Sequence, residues 1–352
     1  MKIIDGSFGE GGGQILRTSL AISSLLREDI KIINIRKNRN PPGLKNQHLH
    51  SILLLKKITR AQTSEIRVGE TELYFKPNGI FSGYYEENIG TAGSITLLLQ
   101  AVLLPCLFAD NKIKLKIIGG TDVKNSPSLD YFRYVLLPYF QIFADIDLKV
   151  IKRGFYPKGG GEVILEIKPK FSLSNYRSFS EFLNDIKSLG PLNLAETNIN
   201  KITIYSVASE DLKDREVAER MINGAIKYLN KLDIQIEVYK EYVKTYSTGA
   251  VITIVGDRGY FFGSDSLGEK NIKAEDVGKR AAEKFLRVIN NNVSVDENLA
   301  DNLIPILGLV NGYFTTYEIT GHLYTNIWLV NNLLSKNIRY EKIGENKYKI
   351  FV

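Results

Sequence analysis

The chain contains three histidines, His48, His50 and His322. Neutral imidazole is nucleophilic near pH 7, and imidazole is the side chain that changes charge there. His322 lies in the polar run Gly321-His322-Leu323-Tyr324-Thr325-Asn326, which leads into a helical stretch expected from Thr325 to Leu334. A loop at that point exposes the ring beside helix-terminal N–H groups. A lone histidine also reads as a satisfied structural residue, and the residues alone leave both readings open. A lysine nucleophile of the ligase type needs Lys-x-Asp-Gly. Lys2-Ile3-Ile4-Asp5-Gly6 is one residue too long, and Lys76-Pro77-Asn78-Gly79 lacks the acid and reads as a turn.

Two further stretches carry chemistry. In Asp5-Gly6-Ser7-Phe8-Gly9-Glu10-Gly11-Gly12-Gly13-Gln14, running on to Arg17, consecutive glycines let a ligand approach the backbone, and Glu10, Gln14 and Arg17 surround them. No Lys-Ser/Thr follows, so this is not a P-loop. Glu10 is an oxygen donor of the kind hard divalent cations take. In Arg36-Lys37-Asn38-Arg39-Asn40-Pro41-Pro42-Gly43-Leu44-Lys45-Asn46-Gln47-His48, arginines suited to two-point grip of phosphate are stiffened by prolines. A flexible turn and a solvated loop are the plainer alternatives. Gly90-Thr91-Ala92-Gly93-Ser94 with Gln100, Gly119-Gly120-Thr121-Asp122 with Pro127, and Arg153 to Gly161 are each ordinary as isolated turns.

These loops need elements to hold them. Gln14–Leu26 and Ser94–Phe108 read as helices, the second apolar nearly all round and therefore buried. Ile30–Ile35, Ile113–Ile118 and Val163–Ile167 read as strands from their β-branched residues. The helices at Gln14, Ser94 and Thr325 each follow a Gly-, Ser-, Thr- or Asn-rich loop, which suggests repeated β/α units presenting helix N-termini, places suited to phosphate. Beyond residue 170 the texture changes. Lys201–Ala208, Arg215–Asn230, Ile234–Tyr239 and Ala250–Val255 read as a β-α-β-β block, and Ala274–Ile289 as a helix leading back to the main body. The expected fold class is α/β (α+β), with a large domain over 1–184 plus 278–352 and a smaller inserted domain over 185–277.

Composition narrows the class. The formal net charge of +7 favours a polyanionic partner. No run of 18 apolar residues is present, and the N-terminus lacks the apolar stretch of a signal peptide. A single cysteine, Cys106, excludes an internal disulfide and a thiolate zinc cluster; a reducing cytoplasm is the expected location.

Taken in order, DGSFGEGGGQILR, IRKNRNPPGLKNQHL, IGTAGSITLLLQ, GGTDVKNSPSLDYF, RGFYPKGGGEV and HLYTNIW resemble the RNA 3′-terminal phosphate cyclase family. The likeness covers most of 3–165 and returns at about 295–330, and 170–290 matches weakly. It implies a large domain of three repeated β/α units with an inserted α/β domain. It also implies that ATP adenylylates His322. The AMP then passes to an RNA 3′-terminal phosphate, and the ribose 2′-OH closes a 2′,3′-cyclic phosphate. By the same resemblance Glu10 binds a divalent metal, Mg2+ or Mn2+. Gln14, Arg17, Arg36, Arg39, Gln47 and His48 bind phosphate and RNA, and Gln100, Pro127, Asn298, Leu299, Ala300, Asp301 and Asn302 bind the nucleotide. Relatives carry tyrosine where this chain has Asn298; a ring there would stack on adenine for about 1–3 kcal/mol, so adenine selectivity is open. A non-catalytic ribosome-assembly branch of the family is the alternative, and it lacks the histidine. An enolpyruvyl transferase reading lacks an identifiable phosphoenolpyruvate site. A plain RNA-binding module would place its cations in one stripe with interleaved aromatics.

Overall fold

The computed structural model describes residues 1–352. Its first unit comprises β1 (Lys2–Asp5), α1 (Gly13–Leu26), β2 (Ile30–Ile33), α2 (Asn46–Thr59), β3 (Gln62–Thr63) and β4 (Leu73–Lys76). The sheet order is β1-β2-β4-β3, with β1 parallel to β2 and the other pairs antiparallel. The second unit comprises β5 (Gly83–Asn88), α3 (Ile95–Cys106), β6 (Ile113–Gly119), α4 (Leu129–Tyr131, continued by irregular helical turns to Phe140), β7 (Ala144–Lys152) and β8 (Gly161–Pro169). Its order β5-β6-β8-β7 repeats the same sequence of parallel and antiparallel pairs.

After α5 (Phe179–Lys187), β9 (Leu192–Asn193) opens a third unit, which is interrupted. The interruption is β10 (Lys201–Ser209), α6 (Val217–Leu229), β11 (Ile236–Val243), β12 (Ala250–Asp257), β13 (Phe261–Leu267) and α7 (Ala274–Asn290). The third unit resumes with α8 (Glu297–Val310), β14 (Gly312–Thr316), α9 (Gly321–Leu334), β15 (Arg339–Gly344) and β16 (Lys347–Phe351). Here β9 is parallel to β14, β14 antiparallel to β16 and β16 antiparallel to β15, the pattern of the first two units. The fold class is therefore the expected mixed α/β one with repeated units.

The repeats assign the helices differently from the loop compositions. α1 and α3 are first helices of their units, and their counterpart is α8, not α9. α9 is a second helix, equivalent to α2 and α4. It also starts at Gly321 rather than Thr325, because the Thr320 hydroxyl accepts from Leu323 N at 3.0 Å and caps it. His322 therefore lies in a helix first turn.

α3 is buried nearly all round, as its sequence requires, and packs on α1, α2 and β6. β6 alternates Ile113, Leu115 and Ile117 inward, each such side chain contributing about 1.5–3 kcal/mol of burial. α7 does not simply lead back to the body. It lies against α6, β12 and β13, and bare backbone at Gly278 faces the carbonyl of Met221. β13 escapes the sequence reading because Gly263, Ser264, Asp265 and Ser266 break the apolar alternation. No helix is long and apolar enough to cross a membrane.

Candidate active site

A cleft of about 1250 Å³ runs between the helix starts of the repeats and the inserted block. α1, α2, α8 and α9 bring their first turns to it, so their unpaired N–H groups and positive dipole ends face one volume. Only two of its thirty lining residues are hydrophobic, and none is Phe, Tyr or Trp.

Glu10 and His322 form its centre. Glu10 Oε2 lies 2.5 Å from His322 Nδ1, and neither atom has another partner. Glu10 Oε1 is held by the Arg39 guanidinium. The β1–α1 loop is pinned here by glycine: Gly9 and Gly11 have φ of 58° and 60°, and Glu10 N reaches the Thr325 hydroxyl at 3.4 Å. Contact with Glu10 raises the His322 pKa, outweighing burial, and Asp301 adds to it; the same contact lowers that of Glu10. With Nδ1 turned to the carboxylate, Nε2 is the ring nitrogen left to react.

The floor is a polar network inside the protein. Arg17 is buried and donates to Gln14 Oε1 at 2.6 Å. Gln14 Nε2 and the Thr18 hydroxyl both reach Asn326 Oδ1, at 3.3 and 2.9 Å, and Asn326 Nδ2 donates to the Asp301 carbonyl at 2.8 Å. Burial depresses the Arg17 pKa to about 10 and raises that of Asp301 to about 7.

α2 contributes His48. Its Nδ1 accepts from Lys45 N at 3.1 Å, which puts the ring proton on Nε2, facing Gly13. Burial, with Arg17, Arg36 and Lys45 nearby, drives its pKa to about 3, so it is a neutral donor. Arg36 lines the cleft but spends Nη1 on the carbonyls of Pro41 at 3.0 Å and Gly43 at 2.8 Å. It shapes the loop that aims Arg39. Gln47 also lines the cleft, and its Oε1 accepts from Ser94 N at 3.4 Å.

On α8, Asn298, Asp301 and Asn302 share one face and line the cleft, as do Gln100 and Pro127. Leu299 and Ala300 do not; both point into the core with no exposure, as the helical spacing demands. The fourth and fifth glycine-rich stretches build a support. Arg153 is buried between Asp122 at 3.1 Å and Asp130 at 2.5 Å, and Asp122 Oδ1 accepts from Leu129 N at 2.9 Å. Sequence reasoning missed the opposite wall, where Lys124, Arg280, Lys284 and Arg287 stand, the first two paired with Glu269 at 2.6 and 3.5 Å. On α7 the last three recur at helical spacing, which was the signal available.

A divalent ion at Glu10 would draw its other ligands from the nucleotide phosphates and water. The Glu10 oxygens contact Arg39 and His322, and no group of three His, Cys, Asp or Glu side chains stands together to hold an ion by itself.

The family model described as RNA 3′-terminal phosphate cyclase matches residues 8–340. The chain is 40% identical over 338 residues to a protein of that name from Pyrococcus furiosus, covering 96% of this chain and 94% of the relative. It is 39% identical over 342 residues to one from Archaeoglobus fulgidus (96% and 97%), and 37% over 351 residues to one from Saccharolobus islandicus (98% and 97%).

Proposed function

This chain belongs to the RNA 3′-terminal phosphate cyclase family, and from that premise we propose that it converts an RNA 3′-terminal phosphate to a 2′,3′-cyclic phosphate at the expense of ATP. His322 Nε2 attacks the α-phosphorus, forming an N–P bond as pyrophosphate leaves. An oxygen of the RNA 3′-phosphate then attacks the same phosphorus and frees His322. Finally the ribose 2′-oxygen attacks the RNA phosphorus, and AMP leaves. A phosphate dianion repels nucleophiles and its oxygens leave poorly, so the anhydride supplies the leaving group that the last step needs.

The observation that carries this reading is the contact between His322 Nδ1 and Glu10. It orients the ring, keeps a proton on Nδ1 and compensates the positive ring formed at the first step. Arg17, Arg39, Lys284 and Arg287 offset the charge of the triphosphate and of the RNA phosphates. His48 donates from Nε2. Asn298, Asn302 and Pro127 form the nucleotide wall, without a ring to stack on the base. We assign no step to a divalent metal. The body (1–184 plus 278–352) is proposed to carry the nucleophile and the insert (185–277) to stand opposite it, with α7 (Ala274–Asn290) crossing that boundary and packed on the insert.

Incubation with α-labelled ATP tests the reading. Label is expected on the protein, stable to alkali, lost in acid and absent in His322→Ala. A wild-type protein that stays unlabelled at every pH and cation tried would remove the covalent step. Labelling with no gain of phosphatase resistance in a 3′-phosphorylated RNA would remove the substrate.

A further inference from the structure

The cleft supplies charge but no Phe, Tyr or Trp ring, yet three such rings lie on the segments that carry Glu10 and His322. Phe8, two residues before Glu10, stacks on Trp328 with centroids 4.0 Å apart and planes at 19°. It also lies parallel to Tyr324, two residues after His322, at 5.8 Å and 19°. Tyr324 and Trp328 are one turn apart on α9, so Phe8 lies across both. Phe8 and Trp328 pack partly on the core, whereas Tyr324 is 44% exposed.

The loop Phe8-Gly9-Glu10 joins this shelf to the cleft. Its neighbour is the cationic loop: Asn38 Nδ2 donates to the Ser7 carbonyl at 3.4 Å, Arg39 holds Glu10, and the Lys37 charge acts on Asp5. Lys37 and Arg39 are exposed. Parallel rings, one of them exposed, beside exposed cations and one loop away from a cationic cleft, match single-stranded nucleic acid. The chain's other tyrosine stack, Tyr134-Tyr205-Tyr239, has Arg133 over Tyr134 and Glu237 against Tyr239, and the pocket it borders shares no lining residue with the cleft.

We infer that the Phe8–Tyr324–Trp328 shelf binds a base of the RNA substrate upstream of its terminal nucleotide, with Lys37 and Arg39 taking the intervening phosphates. This rests on the proposed RNA reaction for the identity of the strand. The shelf is sequence-tolerant, because every base has a π face.

Trp328 is the only tryptophan, so its fluorescence reports the shelf without catalysis. A ten-nucleotide single-stranded RNA ending in 3′-phosphate, carrying a 5′ fluorophore, is titrated by anisotropy and by tryptophan emission. Saturable emission change with the same midpoint as anisotropy is expected. Tyr324→Ala should weaken binding about tenfold, within the range for one lost stack, and Tyr324→Phe should restore it. The preference in kcat/KM for this RNA over a nucleoside 3′,5′-bisphosphate should fall by a similar factor in Tyr324→Ala. Binding seen by anisotropy with silent Trp328, or unchanged binding in Tyr324→Ala, overturns the shelf while leaving the reaction standing. RNA that binds and perturbs Trp328 but is never cyclised overturns the reaction and not the shelf. No RNA binding at all overturns both.

Discussion

Arg17 and Asp301 occupy the same position in two equivalent helices, the fifth residue of α1 and the fifth of α8, and each acts on the other's charge across the cleft floor. Gln14 and Asn298 are matched in the same way at the second position. The repeats thus place an opposite pair where symmetry alone would place like residues.

Asp301 gives a stability prediction. Its folded pKa of about 7 exceeds the ordinary carboxylate value of 3.8, so the fold holds its proton more tightly than the unfolded chain. The stability this contributes is full below the ordinary value and is lost as pH rises towards 7. Asp301→Asn removes that loss. Its melting temperature relative to wild type is expected to rise between pH 4 and pH 7 in thermal denaturation; a flat or falling difference would contradict the assignment.

Glu10 raises the His322 pKa. The stability from this contact is present below the ordinary imidazole value and disappears as pH rises through the raised one. In nucleotide-free Glu10→Gln, the His322 ring resonance is expected to titrate at lower pH than in wild type by NMR. Labelling by ATP needs the neutral ring, so the wild-type rate should climb through the raised value. A ring pKa unmoved by Glu10→Gln would separate the two residues.

Gly13 is a steric cradle. A Cβ there would run into His48 Nε2 and sit 3.1 Å from Arg17 Nη1. Its backbone is not left-handed, so alanine is conformationally permitted. Gly13→Ala should keep the wild-type melting temperature within a few degrees while ATP labelling falls by about a hundredfold, the loss typical of a misplaced catalytic group. Normal labelling would show that the ligand stays away from α1.

Arg287 tests the unforeseen wall. Arg287→Ala is expected to weaken RNA binding and to reduce the log–log salt slope by about 0.7, one phosphate contact on a single strand. An unchanged slope measured by anisotropy would place the RNA elsewhere.

Much of the fold was legible because period-two and period-3.6 patterns are strong in β6, α1 and α6, and α3 is apolar throughout. β13 was not, since a strand holding Asp265 and serines carries no apolar alternation. The candidate residues were mostly found through glycine and arginine loops, which needed the family likeness to be ordered. Leu299 and Ala300 show the limit of a contiguous motif: on a helix, neighbours in sequence face different ways. The α7 cations were missed because the sequence resemblance offered no ordered motif over 170–290, and charged residues on a helix ordinarily face solvent.

His48 and His322 stand in the first turns of α2 and α9, second helices of the first and third units. The two imidazoles are one position out of step, His48 being the third residue of α2 and His322 the second of α9. Surroundings divide their labour: one ring, sealed among cations, cannot take up a proton at any physiological pH, and the other, facing a carboxylate, gains and loses one readily. A change of nucleophile in such a molecule would need no new histidine, only an exchange of neighbours.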